Sequence, residues 1–525
     1  MKRISAIPLL LLLPAAALAG GSIPLLRWAG PPGSRPETRA EWLALNPEGP
    51  FQCRIGPAES VRAPGDSGTV AIIVQQSISQ ALAGHLVQLS DNLGAEGWAV
   101  VVREVSGGTP QDLKSLLCGL NDSAGIDGAL LVGSLPVPWF QVEDDFYSYG
   151  YAEWPCDLYY MDLDGTWLDT MSNSGGWGPG SDGIFDAHQG AIMPEIFIGR
   201  LTPTGIGTDT VLLKSYFQRD NAYRRDSIAL ERRALVFVDD DWEYWGPWWA
   251  DDVSQLYPDT MSFFEPNATR ATLYRERLDT VQAWVSLFAH SSPSLHQFTY
   301  NNGNSHDYYN STEYTSQDPP ANFYNFFCCS FGRYTSGGYG GGRSVFSQSH
   351  GLGAVASTKT GSMLEFAPFY QSLAQGKSLG RAFSDWWAFI MQDGISFDEL
   401  CWHYGMTLLG DPFLKPAGHN LGVAGTPSGI SAVPGRLGVS AAPSPSAYRS
   451  IISLTMPSGS QARVAVYNVG GQVVRRLADD FLAPGVHQWR WDLLDDRDRR
   501  VAAGVYIVRA SAGLDRAAAR LVVLK

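Results

Sequence analysis

The segment N-F-Y-N-F-F-C-C-S-F-G-R-Y-T-S-G-G, from Asn322 to Gly338, decides the fold prediction for this chain. Its aromatic run ends in two cysteines and then changes abruptly to small, polar and glycine residues. This pattern is typical of a buried strand that leads into a functional loop. The segment A-W-V-S-L-F-A-H-S-S-P, from Ala283 to Pro293, has the same form, and its apolar run ends in His290.

These two segments predict a catalytic pair. In an open parallel sheet, ligands bind outside the carboxyl ends of the strands. A cysteine becomes a nucleophile when a nearby imidazole takes its proton. His290 and Cys329, 39 positions apart (329 − 290), are therefore the predicted dyad, with His296 as the local alternative to the histidine. Side chains alternate along a strand, so Cys328 is expected to face the core while its neighbour faces the cleft.

The same residues resemble the gingipain group of caspase-like cysteine peptidases. In that family the histidine lies in an H-G-S turn and the nucleophile in an A-C-x-x-G-x-[FY] turn. In C-C-S-F-G-R-Y, Cys329 takes the place of the nucleophile, Cys328 that of the alanine, and Gly332 and Tyr334 match the flanks. Further landmarks follow in the same order: A-L-L-V-G at Ala129, P-E-I-F-I-G-R at Pro194, G-A-V-A-S-T at Gly353 and L-G-D-P at Leu409.

The resemblance covers roughly residues 68 to 415 and implies the roles of further residues. The family orients its histidine with an acid after the strand that opens the second half, which here is Asp241, with Asp240 one register position away. The oxyanion donors are expected to be the backbone N–H groups of Cys329 and Ser291. The family has glycine at the second of these positions. If that position needs a positive φ, serine costs about 1 kcal/mol.

The resemblance also implies a specificity pocket. Arginine- and lysine-specific gingipains place an aspartate on the helix after the orienting acid, and the matching residue here is Asp252. A carboxylate there would pair with a basic side chain before the cut. The alternative is a helix-start acid that the helix dipole favours. Met363 replaces the family's stacking tryptophan, so the predicted preference for arginine is weaker by about 1 kcal/mol.

The pattern of the central part of the chain predicts an α/β fold. Apolar strands, beginning with T-V-A-I-I-V at Thr69, alternate with segments of helical periodicity, which indicates right-handed βαβ units and parallel sheets. We expect caspase-like parallel sheets flanked by helices, in two halves covering residues 67–228 and 229–417. The second half carries the predicted dyad.

The C-terminal part has a different pattern. A linker over residues 418–434 precedes short alternating segments over residues 435–525, which are typical of an antiparallel, immunoglobulin-like β-sandwich. V-A-V-Y-N-V-G-G-Q-V-V-R at Val464 and A-A-G-V-Y-I-V-R at Ala502 resemble the C-terminal sorting domain of the type IX secretion system and FlgD-type modules. The resemblance implies that the secretion machinery is a partner. A plain adhesive sandwich is the alternative.

The N-terminal part predicts export. Residues 1–19 combine a positive start, an apolar run and an A-x-A cleavage site, as in a secretory signal peptide. Residues 20–66 are proline-rich without clear periodicity and are interpreted as a short leader or linker. The gingipains carry a large inhibitory pro-domain at this end, for which this segment is too short. We therefore expect a secreted or surface protein that does not span the membrane, and the net charge of −14 argues against a nucleic-acid partner.

The sequence gives little support for a metal site. The chain has six cysteines but no C-x-x-C pair, which argues against structural zinc. D-L-D-G at Asp162 and S-D-G-I-F-D at Ser181 offer oxygen ligands for Ca²⁺, but without an EF-hand pattern they favour an acidic loop with Asx-turns. The peptidase chemistry itself requires no cofactor.

Two hypotheses about function follow from these observations. The first is a cysteine endopeptidase that acts on protein or peptide substrates through an acyl-enzyme. The second is a catalytically inactive caspase-like scaffold that serves as a surface adhesin or binding module. Ser291 and the missing pro-domain favour the scaffold slightly.

Overall fold

The computed structural model of the chain describes residues 23–57, 67–173, 176–228, 230–301, 303–418, 437–442, 450–468, 472–483, 485–497, 499–513 and 515–524. The chain divides into two compact units, one spanning Leu25–Ser428 and the other containing Gly429–Lys525. The predicted signal peptide and nearly all of the predicted linker lie outside the described residues. No helix among the described residues is long and apolar enough to cross a bilayer.

An eleven-stranded sheet forms the centre of the first unit. Its strands, in spatial order, are Gln52–Ile55, Trp98–Ser106, Gly68–Gln75, Ile126–Val132, Phe197–Leu201, Met406–Gly410, Gly353–Ser357, Ala321–Phe327, Gln282–Phe288, Arg233–Val238 and Asp259–Phe263. The inner strands are almost continuously buried, as expected when helices cover both faces of a sheet. The α/β fold class predicted from the sequence is confirmed in this coarse form.

The two predicted halves share this one sheet, which differs from the expectation of separate parallel sheets. Phe197–Leu201 pairs in parallel with Met406–Gly410, but Met406–Gly410 pairs antiparallel with Gly353–Ser357. Strands on the two sides of that junction therefore run in opposite directions. The carboxyl ends of the first-half and second-half strands consequently lie at opposite edges of the sheet.

Twelve α-helices are found among the described residues, and local signals fix their ends. The Thr109 side chain accepts from the Asp112 N–H in a capping box, Pro110 occupies the first turn, and Gly125 ends the helix in the left-handed conformation. The helices are Arg39–Leu45, Gln76–Ala95, Pro110–Ala124, Leu158–Met161, Asp209–Arg224, Gly246–Ser254, Ala271–Leu278, Glu313–Gln317, Gly340–Val345, Ala367–Ala374, Leu379–Met391 and Phe397–His403. Short 3₁₀ turns lie at Asp145–Tyr147 and Asp240–Trp242.

The N-terminal segment is more ordered than the predicted leader. Thr38 caps the helix Arg39–Leu45 in a second capping box with Glu41. Gln52–Ile55 then adds to the edge of the central sheet, antiparallel to Trp98–Ser106. The sequence does not predict this strand. Its four residues are all exposed, and an exposed edge strand needs no alternation of apolar and polar residues.

Shorter strands lie outside the central sheet of the first unit. A three-stranded antiparallel sheet joins His290–Ser292, Leu295–Tyr300 and Ser305–Asn310. Three two-stranded pairs lie within the first half: Trp139–Val142 with Ala152–Pro155, Thr166–Leu168 with Ala187–Gln189, and Met171–Ser172 with Gly178–Pro179.

The described residues of the second unit form two antiparallel sheets. One is formed by Gly438–Ala442, Ser450–Met456 and Gly485–Trp491, and the other by Val473–Leu482, Ser460–Asn468, Gly504–Ala512 and Asp515–Val523. Both sheets contribute to one hydrophobic core, for example Ile452 and Trp491 from the first and Val464 and Val508 from the second. An immunoglobulin-like identity and a sorting role stay predictions.

All six cysteines are free thiols, including the adjacent Cys328 and Cys329. Four of the six are buried, and only Cys53 is exposed. Cysteines of an exported protein can form disulfides. In this structure the core is held together by packing and buried ion pairs instead.

Candidate active site

Two neighbouring strands of the central sheet carry the predicted dyad. The histidine strand (Gln282–Phe288) and the cysteine strand (Ala321–Phe327) pair in parallel, with Phe288 opposite Phe327. His290 and Cys329 each follow two residues beyond those paired positions. The structure therefore brings both side chains to the same edge of the sheet, outside the carboxyl ends of the second-half strands.

Cys329 is fully buried at the start of the turn that follows its strand. Burial raises the pKa of the Cys329 thiol to about 12. The Thr360 side chain, the Lys359 charge and the backbone N–H groups of Gly361 and Ser291 act in the opposite direction. With its pKa raised, the Cys329 thiol is neutral at pH 7. The Ser291 N–H, which acts on this thiol, is one of the two predicted oxyanion donors.

The turn after the nucleophile is held by backbone hydrogen bonds. Ser330 adopts the left-handed conformation (φ 53°), and its N–H donates to the Lys359 carbonyl at 2.9 Å. The Gly332 N–H donates to the Ser357 carbonyl at 2.8 Å. A Cβ on Gly332 would lie 2.9 Å from the Ala356 Cβ, which is closer than side chains approach, so the turn needs glycine here.

His290 is oriented by Asp241. Its Nε2 lies 2.7 Å from Asp241 Oδ2, and the Trp242 ring packs against the imidazole with 4.6 Å between centroids. Burial lowers the pKa of His290, with the Asp241 hydrogen bond and charge opposing. The hydrogen bond from His290 in turn holds the pKa of Asp241 below its ordinary value.

The hydrogen bonds at the two ring nitrogens of His290 indicate which tautomer the neutral imidazole adopts. The backbone N–H of Arg27 donates to His290 Nδ1 at 2.9 Å, so this nitrogen is an acceptor. The proton of the neutral ring is therefore on Nε2, which donates to Asp241. This is the arrangement in which Nδ1 serves as the base and the acid holds the other nitrogen.

The neighbouring acids have other partners. Asp240, the alternative for the orienting role, accepts from the Asn267 N–H and the Thr269 hydroxyl in a loop. Asp239 is buried and accepts from the Thr299 N–H. Of the three consecutive aspartates, the structure places Asp241 against the histidine.

Cys328 faces the core, as the strand alternation predicts. It belongs to the main hydrophobic cluster, and its thiol donates to the Leu287 carbonyl at 3.8 Å. Burial raises the pKa of Cys328 well beyond the ordinary thiol range. The thiol also lies 3.6 Å from Nδ1 of His296.

Ser291 does not have the strained backbone considered in the sequence analysis. It lies in the strand His290–Ser292, with extended backbone, so serine carries no left-handed penalty here. Its hydroxyl is hydrogen-bonded to Nδ1 of His296 at 2.7 Å, and Nε2 of His296 lies 3.1 Å from the Tyr314 hydroxyl. The Tyr314 hydroxyl is in turn 2.8 Å from that of Tyr274. His296 is thus a buried support for the turn that follows His290, a role that sequence reasoning missed.

Removing the Ser291 hydroxyl is expected to destabilise the fold through His296. Ser291→Ala leaves a buried ring nitrogen with only the Cys328 thiol nearby, which costs about 1–3 kcal/mol of unfolding free energy. Because the two residues form one pair, His296→Phe should cost less in the Ser291→Ala background than in the wild type. Denaturant unfolding of the two single variants and the double variant measures this coupling. If the loss of unfolding free energy in the double variant equals the sum of the two single losses, Ser291 and His296 do not act as a unit.

A buried ion pair supports the nucleophile loop from behind. Asp157 accepts from Arg200 Nε at 3.1 Å and Nη2 at 2.5 Å, and also from the hydroxyls of Tyr334 (2.9 Å) and Thr407 (2.7 Å). The Arg200 guanidinium stacks over the Tyr334 ring at 4.2 Å. Asp157 therefore joins Arg200 of the P-E-I-F-I-G-R segment to Tyr334 of the C-C-S-F-G-R-Y segment. No pattern in the sequence indicates this role of Asp157.

Asp252 and Met363 are the two residues of the predicted specificity pocket. Asp252 is on the helix Gly246–Ser254, and burial raises its pKa well above the ordinary range, with the charges of Glu365 and Asp251 adding to the effect. Met363 is fully buried, and its sulfur lies 3.6 Å from Nδ2 of Asn325. The Asn325 amide also donates to the Tyr370 hydroxyl. Burial raises the pKa of Tyr370, and the Asp252 charge adds to that effect.

The acidic loop of the first half makes Asx-turns. Asp162 Oδ1 accepts from the Gly165 N–H at 2.9 Å, and its Oδ2 accepts from the Trp167 indole at 2.5 Å. Asp162, Asp164 and Glu195 offer ligand oxygens within 4.8 Å of one another. Since the Asp162 oxygens already accept these hydrogen bonds, the observed contacts fit the acidic-loop interpretation, and Ca²⁺ binding stays untested.

Comparisons with known proteins identify a peptidase family. A family model described as peptidase family C25 matches residues 65–417. The search of curated proteins found no match. Among solved structures, the Arg-specific cysteine proteinase gingipain R is 14% identical, with 89% of this chain and 99% of that chain covered and a TM-score of 0.47. The complex of Porphyromonas gingivalis RgpB pro- and mature domains is 13% identical, with 87% and 100% covered and a TM-score of 0.44.

Proposed function

This chain belongs to peptidase family C25 and is a cysteine endopeptidase, and on that premise we propose that Cys329 and His290 form its catalytic dyad. Asp241 completes the site by holding the imidazole through Nε2. The substrates are proteins or peptides. The observation that carries the proposal is the adjacency of the histidine and cysteine strands, which end at one edge with Phe288 opposite Phe327.

The proposed mechanism begins from a neutral pair. Nδ1 of His290 takes the thiol proton of Cys329 as the sulfur attacks the peptide carbonyl carbon. The carbon–nitrogen bond then breaks, and the imidazolium returns the proton to the leaving amine. Water, deprotonated by the same nitrogen, hydrolyses the thioester and restores the free thiol. Asp241 stabilises the imidazolium that forms in both stages.

The oxyanion of each tetrahedral intermediate needs preorganised donors. The proposed donors are the backbone N–H groups of Ser291 and Cys329. Burial raises the pKa of Cys329 and the Ser291 N–H acts in the opposite direction, which supports the assignment of this N–H as a donor near the attacking sulfur. The His296 hydrogen bond to the Ser291 hydroxyl keeps that turn in place.

A peptide-library digestion tests the peptidase function. Purified wild type is expected to cleave library members, and His290→Ala is expected to cleave them at least about a hundredfold more slowly because the general base is lost. His306→Ala is the matched control, since His306 is exposed and lies on a neighbouring hairpin. Absence of His290-dependent cleavage would favour the rival function, an inactive scaffold that binds at the cell surface.

The library also tests the proposed preference for a basic residue before the cut. Asp252 is the proposed floor of that pocket, because it matches the position at which the arginine- and lysine-specific gingipains carry an aspartate. Asp252→Ala is expected to lower cleavage selectively after arginine and lysine. An equal loss after basic and neutral residues would leave Asp252 as a helix residue without a role in specificity.

We also propose that the enzyme is exported and that its C-terminal unit directs export or attachment. The A-x-A segment before residue 20 and the V-A-V-Y-N-V-G-G-Q-V-V-R segment at Val464 support this proposal. A chain shortened at residue 434 is expected to keep peptidase activity but to accumulate inside the cell. Normal export of the shortened chain would show that the C-terminal unit has another function.

A further inference from the structure

The proposed mechanism does not use a buried cation that lies beside the nucleophile turn. Lys359 follows the strand Gly353–Ser357, and its side chain is only 3% exposed. Its Nζ donates to Asp145 Oδ1 at 2.8 Å and to the carbonyl oxygens of Thr360 at 2.5 Å and Cys401 at 2.6 Å. Each of the three N–H groups of the ammonium therefore has an oxygen partner.

The surroundings of the ammonium hold its charge in one place. Asp145 supplies the opposite charge, and its side chain is also only 3% exposed. The rings of Phe146 and Trp154 each lie with their centroid 4.8 Å from Nζ, and an aromatic face attracts a cation. A buried ion pair is costly to break, because either partner alone would leave an unpaired charge in the interior. The position of the Lys359 charge is thus fixed.

The backbone of Lys359 holds the turn that follows the nucleophile. The N–H of Ser330, the residue after Cys329, donates to the Lys359 carbonyl at 2.9 Å. The Ser357 hydroxyl donates to the same carbonyl at 3.0 Å, and the Ser357 carbonyl accepts from the Gly332 N–H at 2.8 Å. Residues 357–359 are therefore bonded to both ends of the turn 330–332, and the Lys359 ion pair anchors them.

Most other titratable side chains around this part of the site are neutral at pH 7, because burial raises the pKa of tyrosine and cysteine and lowers that of histidine. They are Tyr149, His290, Cys328 and Cys401. Arg27 is positive, but its guanidinium is paired with Asp241. Burial also raises the pKa of Cys329, and the Lys359 charge opposes this rise.

We propose that Lys359 is a positioning residue of the peptidase, which holds the turn after Cys329 and stabilises, through its ammonium fixed on Asp145, the negative charge that develops on the sulfur. A buried thiol needs such a charge, because burial disfavours the ionised form. Lys359 does not exchange a proton in this role. The thiol proton still goes to His290, and the cation lowers the cost of its departure.

The inference rests on the proposed function, since Cys329 is the proposed nucleophile, but its test needs no turnover. Cys329 is alkylated with neutral iodoacetamide and, separately, with anionic iodoacetate, and peptide mass spectrometry distinguishes its modification from that of Cys328. A change in the position or ionisation of the thiol alters both rates by the same factor. A change in the charge beside the thiol alters the charge ratio, which is the iodoacetate rate divided by the iodoacetamide rate.

Lys359→Gln keeps an N–H donor for the carbonyl oxygens but removes the positive charge. The charge ratio is expected to fall about two- to fivefold, because the anionic reagent loses the attraction of a nearby cation. Both rates are also expected to fall, since less of the thiol ionises without that charge. Lys359→Arg is expected to retain the wild-type charge ratio. The larger side chain has room, because Lys359, Asp145 and Thr360 line a cavity of about 400 Å³.

Lys377→Gln is the matched control. Lys377 is also paired with an aspartate, Asp385, at 2.7 Å, but the two side chains are 40% and 39% exposed. Both alkylation rates are expected to equal those of the wild type. A charge ratio in Lys359→Gln that equals the wild-type ratio, or one that falls equally in Lys359→Arg, would overturn the proposed role of the Lys359 charge.

A second variant covers the case in which Lys359→Gln does not fold. The double variant with Lys359→Gln and Asp145→Asn leaves no buried charge unpaired, and loss of a whole buried pair is tolerated better than loss of one partner. Its charge ratio is also expected to lie below that of the wild type, because the Lys359 charge acts on the Cys329 thiol. An unchanged ratio in the double variant, with folding verified by tryptophan fluorescence, would overturn the proposal.

The outcomes separate this proposal from the proposed function. If the wild type cleaves no library peptide while Lys359→Gln shows the expected fall in charge ratio, the peptidase function fails and the effect of Lys359 on the thiol stands. If the library is cleaved and the charge ratio is the same in both proteins, the peptidase function stands and the proposed role of Lys359 fails.

Discussion

Cys329→Ala is expected to reduce peptide cleavage by about 10³-fold or more, because no other group of the site can form the thioester. The neighbouring thiol cannot replace it. Cys328 faces the core, and burial raises its pKa well above the ordinary thiol range. Initial rates on a peptide substrate measure the effect by comparison of this variant with the wild type.

Cys328→Ala provides the matched control, since it changes an adjacent residue of the same type. It removes a buried sulfur, so some loss of stability is expected, but the cleavage rate should stay within about threefold of the parent. Loss of cleavage in Cys328→Ala with retention in Cys329→Ala would reverse the assignment of the two thiols.

Asp157→Asn is expected to lower the free energy of unfolding of the first unit by about 3–5 kcal/mol. The substitution leaves the Arg200 guanidinium buried without a compensating charge. It also weakens the hydrogen bonds from Tyr334 and Thr407, so the nucleophile loop loses its support. Thermal unfolding monitored by tryptophan fluorescence measures the loss.

The control for this prediction is the same substitution in an exposed pair. Asp259 accepts from Arg233 at 2.8 Å, and the Asp259 side chain is 58% exposed. Asp259→Asn is expected to change the free energy of unfolding by less than about 1 kcal/mol. Similar losses of unfolding free energy in Asp157→Asn and Asp259→Asn would mean that burial does not determine how strongly these two ion pairs stabilise the fold.

Local patterns in the sequence predicted much of the fold. Buried strands such as Ala321–Phe327 are continuous apolar runs, and the helix Pro110–Ala124 begins with a cap and a first-turn proline. The adjacency of His290 and Cys329 followed from the rule that parallel strands end at one edge. The strand and helix assignments depend on residues close together in the chain, and the adjacency of the dyad follows from those assignments through this rule.

Features that depend on distant residues were not predictable in the same way. The antiparallel junction between Met406–Gly410 and Gly353–Ser357 has no local signal, because each strand is apolar in either direction. The hydrogen bond from the Arg27 N–H to His290 Nδ1 joins residues that are 263 positions apart. The sequence predicts His296 only as a catalytic alternative, since a buried hydrogen-bonding role depends on packing that a single sequence does not display.

The most direct test of the dyad is the site of covalent labelling by a peptidyl acyloxymethyl ketone, which alkylates an activated cysteine. Mass spectrometry of the digested protein identifies the modified residue in the wild type and in His290→Ala. The proposed dyad predicts a thioether on Cys329 that forms rapidly and depends on His290. Labelling of Cys328 instead, or labelling of Cys329 at the same rate without the histidine, would contradict it.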